Sequence, residues 1–245
     1  MSGTVLFLGG NGHAAARLEP ARRALRARSE PFELIDLPYP PADSFDELLE
    51  RLAESVERSG STGSTRLIYA TGIGGLVALA QRVRGAWLDM PLLLQGAVLW
   101  GLEQRMFPKL MRIGPAPYLL AALLRTSPIR RRFVKKHFLR EHDATFVQAF
   151  FDGYGDAQSF ASWFDWLRPE LLRRLERDLA GRPDLLQDVS AWWGGRDTVV
   201  GVEELHRTEA ALGIRVPCTV MPDWGHYPMI DDPDGWVEEL ARVVA

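Results

Sequence analysis

A chain of 245 residues, 47% hydrophobic and 25% charged, can bury one substantial core with an insertion besides. Its single cysteine, Cys218, excludes an intrachain disulfide and points to a reducing compartment. The first residues show no basic run with a cleavage site, and the apolar stretches fall short of the ~18 residues that a membrane span needs, so a cytoplasmic protein without a transmembrane segment is expected.

In chain order, apolar runs rich in β-formers occupy residues 4–8, 32–37, 66–71, 94–100, 189–193 and 216–221. Helical patterns alternate with them. Pro20 suits the first turn of a helix over 20–28, and Ser44 with Glu47 makes an S-x-x-E capping box before LLERLAESV. Residues 202–212 and 236–244 are amphipathic. Strand alternating with helix predicts an α/β fold, with about six mostly parallel strands and helices on both faces. Residues 104–188 break the rhythm with proline-punctuated helical pieces, which predicts a helical cap insertion between core segments 1–103 and 189–245.

The insertion is also where the charge gathers. Residues 104–142 hold ten Lys or Arg against one acid, Glu141, in a chain whose total is −3. Such a run is usually a solvated helix face, and it equally suits an anionic substrate, an acyl-carrier partner or a membrane surface. Nucleic acid is not expected, since no binding motif accompanies the charge.

After the first strand, Gly9-Gly10-Asn11-Gly12-His13-Ala14-Ala15 contains G-x-G-x-x-A, and Asp36 ends the second strand. That pattern approaches a dinucleotide-binding fingerprint, in which the helix begins among the glycines and faces the pyrophosphate. Pro20 argues against it, because a proline in the second turn of such a helix removes a hydrogen bond and clashes. No cofactor is expected. No His or Cys cluster has metal-ligand spacing, so no metal is expected either.

Four segments carry a resemblance: VLFLGGNG, YATGIGGLVAL, WWGGRDTVV and MPDWGHYPM. In that order and spacing the chain resembles the α/β-hydrolase superfamily along nearly its whole length. The resemblance implies a serine at the sharp turn after the third strand, where this chain has Gly72. Its small flanking positions are Ala70 and Gly74; moving the corner to Thr71 would put Tyr69 and Ile73 there instead. It further implies Asp197 as the triad acid, His226 as the histidine, and the backbone N–H groups of Asn11 and Ile73 as oxyanion donors. The family's usual His-Gly is replaced here by Gly9-Gly10.

Gly72 excludes an acyl-enzyme. What remains is a His226-Asp197 dyad suited to general acid–base chemistry on a small, partly apolar molecule: C–C cleavage, cyclisation, elimination or direct hydration. Two other readings stand beside it, a ligand-binding pseudo-hydrolase and a serine esterase whose nucleophile has been replaced by Gly72. His13, Trp100, Glu103 and Trp224 are candidate pocket residues, as are Trp163 and Trp166. Core packing is the expectation for Trp192 and Trp193. His137, His142 and His206 stand among charged residues and read as solvated.

Overall fold

The computed structural model describes residues 3–10, 15–58, 65–98, 110–124, 127–152, 154 and 157–244. Six parallel strands, β1 (Gly3–Leu8), β2 (Phe32–Asp36), β3 (Thr65–Thr71), β4 (Leu92–Gln95), β5 (Val189–Gly194) and β6 (Cys218–Met221), form one sheet in the order β2-β1-β3-β4-β5-β6. β1 is buried at every position, as a central parallel strand covered on both faces must be.

Side chains alternate between the two faces. Leu6, Leu8, Ile68, Ala70, Leu94 and Trp193 pack under α2 (Phe45–Arg58) and α3 (Gly74–Val83). On the opposite face, Val5, Phe7, Leu67, Tyr69, Leu93 and Trp192 meet α1 (Glu19–Arg28) and the C-terminal helix. Between β4 and β5 run α4 (Ala116–Leu124), α5 (Ser127–His137), α6 (Ala144–Asp152), α7 (Ala157–Trp166) and α8 (Pro169–Ala180). α9 (Glu203–Leu212) links β5 to β6, and α10 (Pro228–Asp231) with α11 (Pro233–Val244) closes the chain. No helix among the described residues is long and apolar enough to cross a membrane.

The strand expectations hold to within two residues except at β4. It occupies Leu92–Gln95 rather than 94–100, because Gly96 takes φ +47° and turns the chain out of the sheet. Leu99 and Trp100 lie outside the described residues. β6 starts at Cys218 rather than 216, since Pro217 has no N–H to give a ladder. Ser44 caps α2 as expected, accepting from Glu47 N at 3.2 Å. The Glu47 carboxylate, however, reaches Asp43 N at 2.8 Å, one residue further back than the capping box predicts. Trp193 is fully buried and Trp192 nearly so, both within the core.

One contact sets how closely helix and sheet approach at the strand ends. A Cβ on Gly74, the first residue of α3, would fall 2.3 Å from Leu8 O and 2.8 Å from Gly9 O. Gly74→Ala is therefore expected to lower stability by about 2 to 3 kcal/mol in urea unfolding, through forced separation of α3 from β1. Gly181→Ala, whose added Cβ would meet nothing closer than 4.0 Å, should change it by less than about 0.5 kcal/mol.

Candidate active site

From β1 the chain crosses to β2 on one side and then returns to β3 on the other. The connections diverge at the C-terminal ends of β1 and β3, which is where an open α/β sheet leaves a crevice. Gly9 and Gly10 leave β1 there, opposite the turn through Gly72 and Ile73. Gly72 has φ +58°, and its carbonyl accepts from Gly75 N (3.3 Å) and Val98 N (2.9 Å). Among the described residues, a Cβ on Gly72 would meet only Gly10 Cα, at an ordinary 3.5 Å. A Cβ on Gly10 would stand 3.8 Å from Ile73 N, so the first loop and the turn lie in contact. Thr71 is buried as the last residue of β3.

The turn after β5 presents Asp197, and the loop after β6 presents His226. Asp197 Oδ1 accepts from Val199 N at 2.8 Å and Val200 N at 2.9 Å. Asp197 Oδ2 lies 2.9 Å from His226 Nδ1. The Asp197 side chain is wholly buried and that of His226 is 7% exposed. Because a carboxylate only accepts, Nδ1 carries the proton of this bond and Nε2 is the ring nitrogen left outside it. Gln95 Nε2 donates to His226 O at 3.3 Å, holding the loop from β4. A Cβ on Gly96 would lie 3.0 Å from Asp197 Oδ2 and 3.4 Å from His226 Nδ1. Residues 96–98 thus touch the Asp-His pair at one end and bind the Gly72 carbonyl at the other.

Burial pushes the Asp197 carboxyl up, but the His226 ring and the two backbone N–H groups pull harder, and its pKa falls below the ordinary value. Tyr227 packs edge-on against His226 at 4.6 Å, and burial holds its hydroxyl protonated.

A second imidazole, absent from the sequence-based site, faces the first. His137, at the end of α5, is partly buried rather than solvated. Its ring stacks on Phe133 at 3.6 Å and stands 5.9 Å from that of His226, nearly perpendicular. Its Nδ1 lies 2.9 Å from Phe133 O. Burial, then His226, lowers its pKa from 6.5 to about 3, with Lys136 adding to the effect and the Phe133 carbonyl and Asp197 opposing it.

Backbone and side-chain bonds fix this end of α5. Thr198 Oγ1 donates to Lys136 O at 3.2 Å. Buried Asp231 accepts from Leu139 N (3.0 Å), Arg140 N (3.3 Å) and, at 3.2 Å, pairs with His142 Nε2. His142 is thus also drawn in rather than solvated, whereas His206 is exposed as expected. The i, i+4 spacing of Phe133 and His137 was the available signal, since it puts the imidazole on an apolar stripe away from Lys135 and Lys136.

Asn11, His13, Trp100 and Glu103 lie outside the described residues. Trp224, expected near the pocket, is buried in the core edge-on against Trp192 at 5.6 Å. Trp163 and Trp166 line a cleft of about 610 Å³ with Tyr39, whose hydroxyl donates to Gly9 O. Four cations, Arg130, Arg131, Lys135 and Arg140, line another of about 810 Å³. Among the described residues no group of three or more His, Cys, Asp or Glu could hold a metal.

Residues 5–239 match the model of the alpha/beta hydrolase family. Comparison with curated proteins found no match. Among solved structures, the chain resembles 2-hydroxy-6-oxo-6-phenylhexa-2,4-dienoate hydrolase from Rhodococcus sp. strain RHA1 (TM-score 0.67, 17% identity, 99% of this chain and 90% of that one). It also resembles an esterase from Rhodococcus sp. ECU1013 (0.62, 18%, 99% and 90%) and a thermophilic esterase from Thermogutta terrifontis (0.61, 19%, 100% and 92%).

Two acid-sensitive windows follow. A histidine that stays neutral in the fold lets the unfolded chain take up a proton first, so stability falls as pH drops from about 6.5 towards 3. The depressed Asp197 contributes stability that is present above the unfolded value of about 3.9 and is lost as pH falls through its folded value. Urea midpoints at stepped pH should show His137→Gln flattening the upper window, and Asp197→Asn the lower one.

Proposed function

Since the chain belongs to the alpha/beta hydrolase family, we propose that its site carries out cofactor-independent acid–base chemistry, with His226 as the base and Asp197 as the residue that orients it. The observation that carries this reading is the buried Nδ1 to Oδ2 bond of 2.9 Å at the strand ends, joined through residues 96–98 to the turn at Gly72. Gly72 stands where the family presents its serine, so no acyl-enzyme forms. His226 Nε2 instead removes a proton from the substrate or from water, and negative charge developing on a substrate oxygen meets the N–H of Ile73 and, from the first loop, of Asn11. C–C cleavage, cyclisation, elimination and direct hydration all fit that set. One structural neighbour is named for a substrate bearing hydroxyl and oxo groups.

The helices between β4 and β5 serve in this reading as a cap over the site, and the Arg130, Arg131, Lys135 and Arg140 cleft draws in an anionic or carrier-bound substrate. Incubation of a metabolite extract with the protein should then consume a compound rather than merely retain it; retention alone would favour a binding protein. Capture of an anionic compound should weaken as added salt shortens the screening length to about 8 Å and below.

Gly72→Ser tests the geometry directly. Among the described residues the added Cβ would make one ordinary contact, with Gly10 Cα, and the αL backbone would cost about 1 to 3 kcal/mol. The variant is expected to hydrolyse a small activated ester on the order of 100-fold faster than wild type, and to lose that gain with His226→Ala. A folded Gly72→Ser that neither turns over the ester nor reacts with a serine-directed phosphonate would sink the reading.

A further inference from the structure

The Asp197 bond puts the His226 proton on Nδ1. The same logic applies to His137, because Phe133 O can only accept and its partner Nδ1 must therefore be the N–H. Each neutral ring is left with its Nε2 lone pair. The two rings belong to different parts of the fold, one on the loop after β6 and one at the end of α5, yet their centroids are 5.9 Å apart at 74°. No hydrogen bond joins them.

Two acceptor rings whose centroids lie 5.9 Å apart can share a group with two donor hydrogens, and water is the smallest such group. With bonds of ~2.8 Å to each nitrogen and a tetrahedral angle at oxygen, the nitrogens would stand roughly 4.6 Å apart, which this ring separation allows. We infer that His137 and His226 hold one nucleophilic water between their Nε2 atoms, and that the wild-type reaction is direct addition of that water to an activated carbonyl compound. The inference rests on His226 being the base of the proposed function, and it makes the wild-type reaction an acyl hydrolysis by water with no serine intermediate.

The step balances without a co-reactant. The water oxygen bonds to the carbonyl carbon as one O–H bond breaks, the proton passes to His226 Nε2, and the carbonyl π pair moves to oxygen beside Ile73 N–H. His137 keeps the second O–H and so fixes which lone pair of the water faces the carbon. Collapse of the adduct expels the leaving group, which takes the proton back from His226. The net change is R–CO–X plus water giving acid and HX. Groups facing His137 are His226 and Asp197 from the two site loops, Tyr227 stacked at 6.1 Å, and Lys136 and Phe133 on its own helix. The cations of α5 do not protonate His137, since burial keeps the ring neutral down to about pH 3.

The test has two arms. In wild type, long-range ¹H–¹⁵N NMR at pH 7.5 should show His137 protonated at Nδ1 and bare at Nε2; an Nε2–H tautomer overturns the inference whatever the activity. In Gly72→Ser, water must attack the acyl-enzyme at the same place, whereas acylation uses only the serine and His226. Adding His137→Phe should therefore slow steady-state turnover of an activated ester by about 10-fold or more, with the acylation burst within about 2-fold of its parent. Adding His137→Gln instead, which keeps an acceptor oxygen, should restore part of the loss. Equal slowing of both phases, or of neither, overturns the water-holding role. Absence of any burst in folded Gly72→Ser is the separate failure of the acid–base reading, and it removes the inference with it.

Discussion

The candidate site depends on how closely the first turn of α3 approaches the end of β1. Leu8 O and Gly9 O occupy the space where a Cβ of Gly74 would be. Only with that side chain absent can the Gly72–Ile73 turn come into contact with Gly10, across the point where the strand order reverses. Backbone, not side chains, makes this contact.

The rest of the site is arranged around a single buried carboxylate. Asp197 serves Val199 N and Val200 N with one oxygen and His226 Nδ1 with the other, so the same group closes its own turn and orients the ring. Burial by itself raises the pKa of such a carboxylate. The three N–H groups outweigh burial and hold its pKa below the ordinary value. Electrostatics and local folding therefore depend on one another here, and neither can be altered alone.

Most of the scaffold was legible because the central strands are apolar on both faces and end at recognisable turns. The resemblance located Asp197 and His226, and the structure brings the two together. β4 was read three residues or more too far because LLLQGAVLW is one apolar run, in which only Gly96 signals the turn. His137 was misread for the opposite reason. Its neighbours Lys135 and Lys136 suggested a solvated face, whereas helical periodicity pairs it with Phe133 and carries it inward. Nor could sequence show that Asp231, in the run DDPDGW, is buried and accepts from Leu139, Arg140 and His142. That bond set joins segments about ninety positions apart, and no local pattern encodes it.

The Asp231 bonds bear on the proposed chemistry at the glycine at 72. A serine supplies both nucleophile and its own position, through a covalent tether to the turn. Water supplies the nucleophile without the position, so a site lacking serine gains rate only by ordering water from two directions at once. His226 gives one direction. In the proposed reading the second comes from His137, whose flanks are held by Asp231 at Leu139 and Arg140 and by Thr198 at Lys136. Thr198 follows Asp197 on the same turn, and Asp231 ends α10, the short helix that follows the His226 loop, so both anchors sit close in the chain to the dyad. A displacement of the interstrand helices would leave the Asp197 bond intact and remove only the ordering of the water, which separates the holding of the base from the holding of the nucleophile.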